Sequence, residues 1–215
     1  MKKFTKAESL AFFDALNAAY PDAKTELEYT NTYTLLVAVA LSAQSTDVGV
    51  NKATKALFKI VFSPQDMLDL GEERLKQMIK TIGLYNSKAK NVIKAAQILV
   101  DDYGGEVPGT REELVKLPGV GRKTANVVLN VAFGQPTVAV DTHLFRLGNR
   151  IGIARGKTPL AVELAYEKII PSVHAQDAHI QLILLGRYIC KAQKPQCFQC
   201  PVIEFCRYKD KLLDL

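Results

Sequence analysis

Four cysteines, Cys190, Cys197, Cys200 and Cys206, are the only ones in the chain, and they crowd into one C-terminal stretch spaced C-x6-C-x2-C-x5-C. Thiols this dense commit the stretch either to cross-links or to a shared ligand. Disulfides need an oxidising compartment. Lys2 and Lys3 open the chain, but Lys6, Glu8 and Asp14 interrupt any signal-peptide core, so the protein is expected to stay in the cytoplasm where it is made. Zinc and an iron–sulfur cluster remain. A CxxC pair suits tetrahedral zinc, although zinc modules usually join two short knuckles across a longer spacer. Here one CxxC has a single cysteine on either side, on short loops, which better suits thiolates wrapped around a cube-shaped cluster. The same region carries Lys191, Lys194, Arg207 and Lys209. These cations either offset the charge of a thiolate-bound metal or are presented by a metal-stapled loop to phosphates.

The 215-residue chain is long enough for one large domain or two small ones. Its longest apolar run, Leu35 to Leu41, is far short of the ~20 residues needed to span a membrane. A formal net charge of +6 favours polyanionic partners, since each cation set on a phosphate releases a condensed counterion.

Helical spacing dominates, and no segment sustains strand alternation, so the fold class is all-α. A helix is expected over Ser9 to Ala19, stopped by Pro21, and a buried one over Thr34 to Ala43. Others follow over Val48 to Phe62 and Glu72 to Ile82, separated by a break at Ser63-Pro64. A long helix capped by Asn86 or Ser87 should end at Gly104-Gly105. Thr110 and Glu113 have the spacing of a capping box. Helices are again expected from Arg122 to Phe133, from Thr142, and over Leu160 to Ile170 and Ile180 to Ile189.

Between Thr110 and Phe133 lies Leu117-Pro118-Gly119-Val120-Gly121-Arg122-Lys123-Thr124. This is not a nucleotide-binding P-loop, because Arg122 separates Gly121 from Lys123 and no strand precedes it. What remains is helix, glycine turn, helix. Gly119 and Gly121 let the backbone turn tightly, and a phosphate can approach the bare amides at the start of the second helix. A plain helical-hairpin turn is the plainer reading. Lys123 falls in that helix's first turn beside Arg122, where an amine can serve as a nucleophile or simply contact phosphate. The helix from Lys123 to Phe133 spans roughly 15 Å. The return from Gly134 to Asp141 reaches roughly 23 Å when extended. Asp141 can therefore come back beside Lys123, although an aspartate just before a new helix is also an ordinary N-cap.

Taken in order, Leu41 to Asp47, Thr81 to Ala89, the Leu117 to Asn130 hairpin, Val140-Asp141-Thr142-His143 and the cysteine stretch resemble the endonuclease III family. Those enzymes are bifunctional DNA glycosylases of base excision repair in the helix-hairpin-helix superfamily. The resemblance implies two helical domains and DNA bound in the cleft between them. One is a six-helix barrel, residues 24–135, holding the helix-hairpin-helix at about 110–133. The other, residues 1–23 and 136–215, carries a [4Fe-4S] cluster on the four cysteines.

It implies that Lys123 is the nucleophile that forms a Schiff base, leading to β-elimination. Asp141 stabilises the cationic sugar. Gln44 and Leu84 fill the gap left by a flipped nucleotide. Gly119, Gly121, Arg122, His143 and Lys194 are DNA contacts, with His143 ordering DNA or local structure. His174 and His179 read as structural or surface residues. The implied substrates are duplex DNA with oxidised pyrimidines or abasic sites, met by a monomer associated with the nucleoid and not with a membrane. Mismatch glycosylases of the superfamily lack this lysine. An iron–sulfur DNA-binding regulator would account for the cysteines and the charge, but leaves Lys123 and Asp141 without a role.

Overall fold

The structure, a computed structural model, describes residues 3–213, so Lys2 lies outside the described residues. Among these, the helices in chain order are α1 (Lys6–Ala19), α2 (Thr32–Leu41), α3 (Asp47–Thr54), α4 (Pro64–Leu70), α5 (Glu72–Ile79) and α6 (Tyr85–Tyr103). There follow α7 (Arg111–Leu114), α8 (Arg122–Phe133), α9 (Thr142–Ile151), α10 (Pro159–Ile169) and α11 (Ala178–Leu184). No β-strand occurs among the described residues, so the protein is all-α, as the periodicity predicts. None of these helices is long and apolar enough to cross a membrane.

The chain divides into two compact units, Thr25–Gly134 and the combination of Met1–Lys24 with Gln135–Leu215. The continuous unit is organised by α2. Tyr33, Thr34, Leu35, Leu36, Val37, Ala38, Val39 and Leu41 are all buried, so this helix has no solvent face and must be enclosed on every side. Helices α3, α6 and α8 pack directly against it. Leu57, Met67, Leu75, Ile79, Leu99 and Leu114 complete the core.

Several boundaries depart from the sequence expectation, each for a local reason. α1 starts at Lys6 because Thr5 and Glu8 form a complete capping box ahead of the apolar pattern. The helix expected over 48–62 stops at Thr54, followed by a short 3-10 turn, Leu57–Lys59. Ser63-Pro64, read as a break, instead starts α4: Ser63 and Asp66 form a capping box, and Pro64 takes a first-turn position where a missing N–H costs nothing. α6 is capped by neither Asn86 nor Ser87. It begins at Tyr85, and its N-cap is Leu84, in the left-handed region with φ 58° and no side-chain cap.

The discontinuous unit joins the two ends of the chain. Phe12, Phe13 and Leu16 of α1 share a core with Leu144, Leu147 and Ile151 of α9, Val162 and Tyr166 of α10, and Leu182 of α11. Polar ties reinforce it: Gln181 Nε2 donates to Asn17 Oδ1 (2.8 Å), and His174 Nε2 meets Asp14 Oδ1 at 2.7 Å. His174 and His179 are both buried, which overturns the surface reading of either.

Helix α9 runs unusually close to the loop that follows it. A methyl group at Gly148 would lie 2.3 Å from the Ala154 carbonyl oxygen and 3.2 Å from both Val162 Cγ1 and the Tyr166 hydroxyl. The Gly148→Ala variant should therefore lose about 1–3 kcal/mol through overpacking. A thermal melt followed by circular dichroism should show a fall of several degrees, at roughly 2–4 °C per kcal/mol for a chain of this size.

Candidate active site

The glycine hairpin is built as its sequence suggests. Leu117 and Val120 are buried and anchor the turn, and the Val120 N–H donates to the Leu117 carbonyl (3.0 Å). Gly119 takes φ +83°, which a side chain rarely adopts. Gly121 is the N-cap of α8 and has no side chain to satisfy the first amides, so these remain available to an anion. Gly121, Arg122 and Lys123 are all exposed at this positive helix end. α7 is tied to α8 by Arg111 Nε donating to Asn126 Oδ1 (2.7 Å). The capping box expected at Thr110 is only half formed. Thr110 Oγ1 accepts from the Glu113 N–H, but the Glu113 carboxylate accepts from the Thr110 hydroxyl rather than from its N–H.

In the same unit the structure brings the Gln44 and Leu84 turns together. A methyl on Gly83 would meet the Gln44 carbonyl oxygen at 3.8 Å. Both residues are left-handed, at φ 55° and 58°, and Leu84 is 58% exposed. Leu84 therefore does not serve as core packing, and Gln44 lies beyond the end of α2 rather than in a helix. A left-handed non-glycine residue costs roughly 1–2 kcal/mol and persists only where its surroundings enforce it. Lys194 of the cysteine stretch, at φ 48°, is the third such residue among those described.

Asp141 opens α9 in the discontinuous unit, and its Oδ1 accepts the Leu144 N–H at 2.9 Å. The N-cap reading of Asp141 is thus realised, with the second carboxylate oxygen making no hydrogen bond among the described residues. Beneath it, the fully buried Tyr166 donates its hydroxyl proton to the Leu144 carbonyl (3.2 Å), and burial raises its pKa strongly. His143, one residue into α9, is half-buried, and its Nδ1 lies 3.2 Å from Arg146 Nη2. Since arginine only donates, Nδ1 accepts, and the ring proton of the neutral imidazole sits on Nε2.

Arg146 also fastens α9 to the cysteine stretch. Its Nε donates to the Cys190 carbonyl (3.0 Å), and its Nη2 donates to the Gly186 carbonyl (2.7 Å). One turn on, Arg150 donates to the Lys191 and Ala192 carbonyls, reaches Cys190 Sγ at 3.6 Å and lies over the Tyr208 ring.

All four cysteines are free thiols and line one cavity, together with Ile151, Ile189, Pro195 and Ile203. Among the described residues no group of three or more His, Cys, Asp or Glu side chains is arranged to hold a metal ion. The four thiols share the lining of that one cavity. A π-helical turn, Leu185–Ile189, delivers the first: the Cys190 N–H donates to the Leu185 carbonyl at 2.8 Å. Short turns place Cys200 and Cys206. Burial pushes the Cys200 thiol up to about 11 and raises Cys206 as well. Thiolates in such surroundings require a bound cationic group, the usual condition for metal ligation.

Arg146, Arg150 and Lys88 hold this machinery in place without having been singled out as sites from sequence. The two arginines stand four residues apart on α9, on one helix face. Lys88 occupies a core-facing position of α6, in step with Val92, Ala95 and Leu99. A cation in an apolar stripe is the signal that could have found it.

Residues 37–172 match the family described as HhH-GPD superfamily base excision DNA repair protein. The chain is 57% identical to an endonuclease III from Rickettsia conorii, over 91% of this chain and 93% of that one. It is 52% identical to one from Escherichia coli strain K12, over 96% and 98%. Among solved structures it is similar to a trapped endonuclease III–DNA covalent intermediate, with TM-score 0.87 and 49% identity over 95% of this chain and 96% of that one. A thermostable thymine-DNA glycosylase matches with TM-score 0.84 and 26% identity over 96% and 98%.

The two hairpin glycines should respond oppositely to a methyl group. Gly119→Ala meets the Asn91 Cβ at 3.1 Å and a left-handed backbone, and should lose about 1–2 kcal/mol. Gly121→Ala has φ −90° and open space, and should change stability by no more than about 0.5 kcal/mol. Paired thermal melts distinguish them.

Proposed function

Because the chain belongs to the endonuclease III family, within the HhH-GPD superfamily of base excision DNA repair proteins, we propose that it removes oxidised pyrimidines from duplex DNA and then cuts the strand at the abasic site. The observation that carries this reading is Lys123, an exposed amine in the first turn of α8, directly after a glycine turn open to phosphate. The covalent protein–DNA intermediate reported for a relative of closely similar fold supports it.

In this mechanism the hairpin amides and Arg122 hold the backbone while the damaged nucleotide leaves the stack. Gln44 and Leu84 occupy the vacated space, with His143 and Lys194 as further contacts. The Lys123 nitrogen bonds to C1′, and the base departs with the electron pair of the glycosidic bond. Asp141 stabilises the cationic sugar through its charge and assists removal of the lysine proton. The sugar ring opens to an imine, a proton leaves C2′, and the 3′ phosphate is eliminated. The lysine separates this chemistry from that of the mismatch enzymes, which only release the base. The protein acts as a monomer on DNA in the cytoplasm.

The four cysteines fit a [4Fe-4S] cluster better than zinc, because one CxxC pair with a single cysteine on either side suits thiolates wrapped around a cube, and all four line one cavity. The cluster would staple the Cys190 to Cys206 loop, with Lys194 on it, to α9 through Arg146 and Arg150. No step above requires an electron.

Borohydride should trap the protein covalently on DNA containing an oxidised pyrimidine, and Lys123→Ala should abolish the adduct. An undiminished adduct in that variant would remove Lys123 from the site. Asparagine caps helices as well as aspartate does, so Asp141→Asn should keep the fold and DNA binding. Its turnover should fall by on the order of 10²-fold or more, consistent with losing one preorganised electrostatic contact. Iron and acid-labile sulfide should be found in equal amounts in the purified protein, and zinc in their place would overturn the cluster.

A further inference from the structure

Lys88 is a charged residue in an unfavourable place. It is 7% exposed, in the first full turn of α6, a 19-residue helix with no acidic residue in that turn and no side-chain cap. The positive end of a helix and a buried ammonium repel each other. Of its three N–H donors, one is used, by Ser45 Oγ at 2.8 Å. No carboxylate among the described residues pairs with it, and burial alone pushes its pKa down. A buried cation without a counter-charge is costly and is seldom kept without a purpose.

The position of the amine supplies the purpose. Ser45 is half-buried and lies between exposed Gln44 and Thr46. The Gln44 turn adjoins Gly83, which precedes exposed Leu84, the N-cap of α6. The ammonium thus lies against Ser45, next to exposed Gln44, in the part of the unit where the Gln44 turn adjoins the uncapped start of α6. A singly bonded ammonium and bare helix amides together suit a tetrahedral oxyanion, which accepts several hydrogen bonds at once.

We propose that Lys88 binds a backbone phosphate of the DNA, held between its ammonium and the first amides of α6, at the point where the Gln44 and Leu84 turns enter the duplex. This rests on the reading of those two turns as gap-filling elements. Phosphate binding also supplies the missing counter-charge, so the unfavourable placement of Lys88 is relieved only on DNA. A lysine that merely braced Ser45 would need no charge.

The number of phosphates neutralised is read from the salt dependence of binding, independently of chemistry. Anisotropy titrations of a labelled duplex carrying an uncleavable abasic-site analogue, run over a series of salt concentrations, should give a slope for Lys88→Met that is shallower than wild type by about 0.9. Lys88→Arg should restore the wild-type slope. Without DNA, Lys88→Met should melt no lower than wild type. A wild-type slope in Lys88→Met, even with weakened binding, overturns the proposal and leaves Lys88 a brace for Ser45. Should Lys88→Met fail to fold, Lys88→Gln is read by the same slope. Leu84→Ala and Gln44→Ala, which change no charge, should weaken lesion binding at unchanged slope. If neither does, the gap-filling reading falls while the phosphate count for Lys88 stands.

Discussion

Helix α2 has no face for water, and the Thr25–Gly134 unit is arranged to satisfy that constraint. Enclosing it requires α3, α6 and α8 as neighbours. Each functional feature of this unit then hangs from an end of α2 or from an end of a helix packed on it. The chain leaving α2 at Leu41 surfaces at Gln44, α6 begins just after Leu84, and α8 begins with Arg122 and Lys123. An apolar core with a single packing solution fixes those helix starts, and so holds amides and side chains in place before any DNA arrives.

The discontinuous unit uses charge in place of apolar enclosure. Arg146 and Arg150 donate to backbone carbonyls on both sides of the first cysteine, those of Gly186, Cys190, Lys191 and Ala192. Planar guanidinium groups with several fixed donors do this better than lysine could. The same α9 that carries Asp141 at its N-cap is therefore rigidly connected to the cysteine loop, with Tyr166 bracing it from below.

Features set by local chemistry were legible in the sequence. The all-helical class followed from periodicity, the hairpin turn from Gly119 and Gly121, and the gathering of four thiols around one cavity from cysteine spacing. Features set by tertiary contact were not. Ser63-Pro64 read as a break because a proline interrupts the apolar pattern, yet it starts a helix when serine caps it. Leu84 entered through the family resemblance as a gap-filling residue, and only the backbone shows it left-handed and exposed. The π-helical turn before Cys190 has no sequence signature. Lys88 was visible as a residue but not as a buried one, since its burial depends on the Gln44 turn lying over it.

The discontinuity of one unit also dictates an order of events during synthesis. Glu8 meets Arg207, and Asp14 meets His174, across separations of 199 and 160 residues. α1 leaves the ribosome long before the C-terminal residues it packs against, while the Thr25–Gly134 unit is continuous in sequence. The hairpin and the two turns are thus formed on a nascent chain whose ends are still apart. The cysteine stretch follows every other part of this core in sequence, so α1 can close onto its C-terminal partners only late in synthesis.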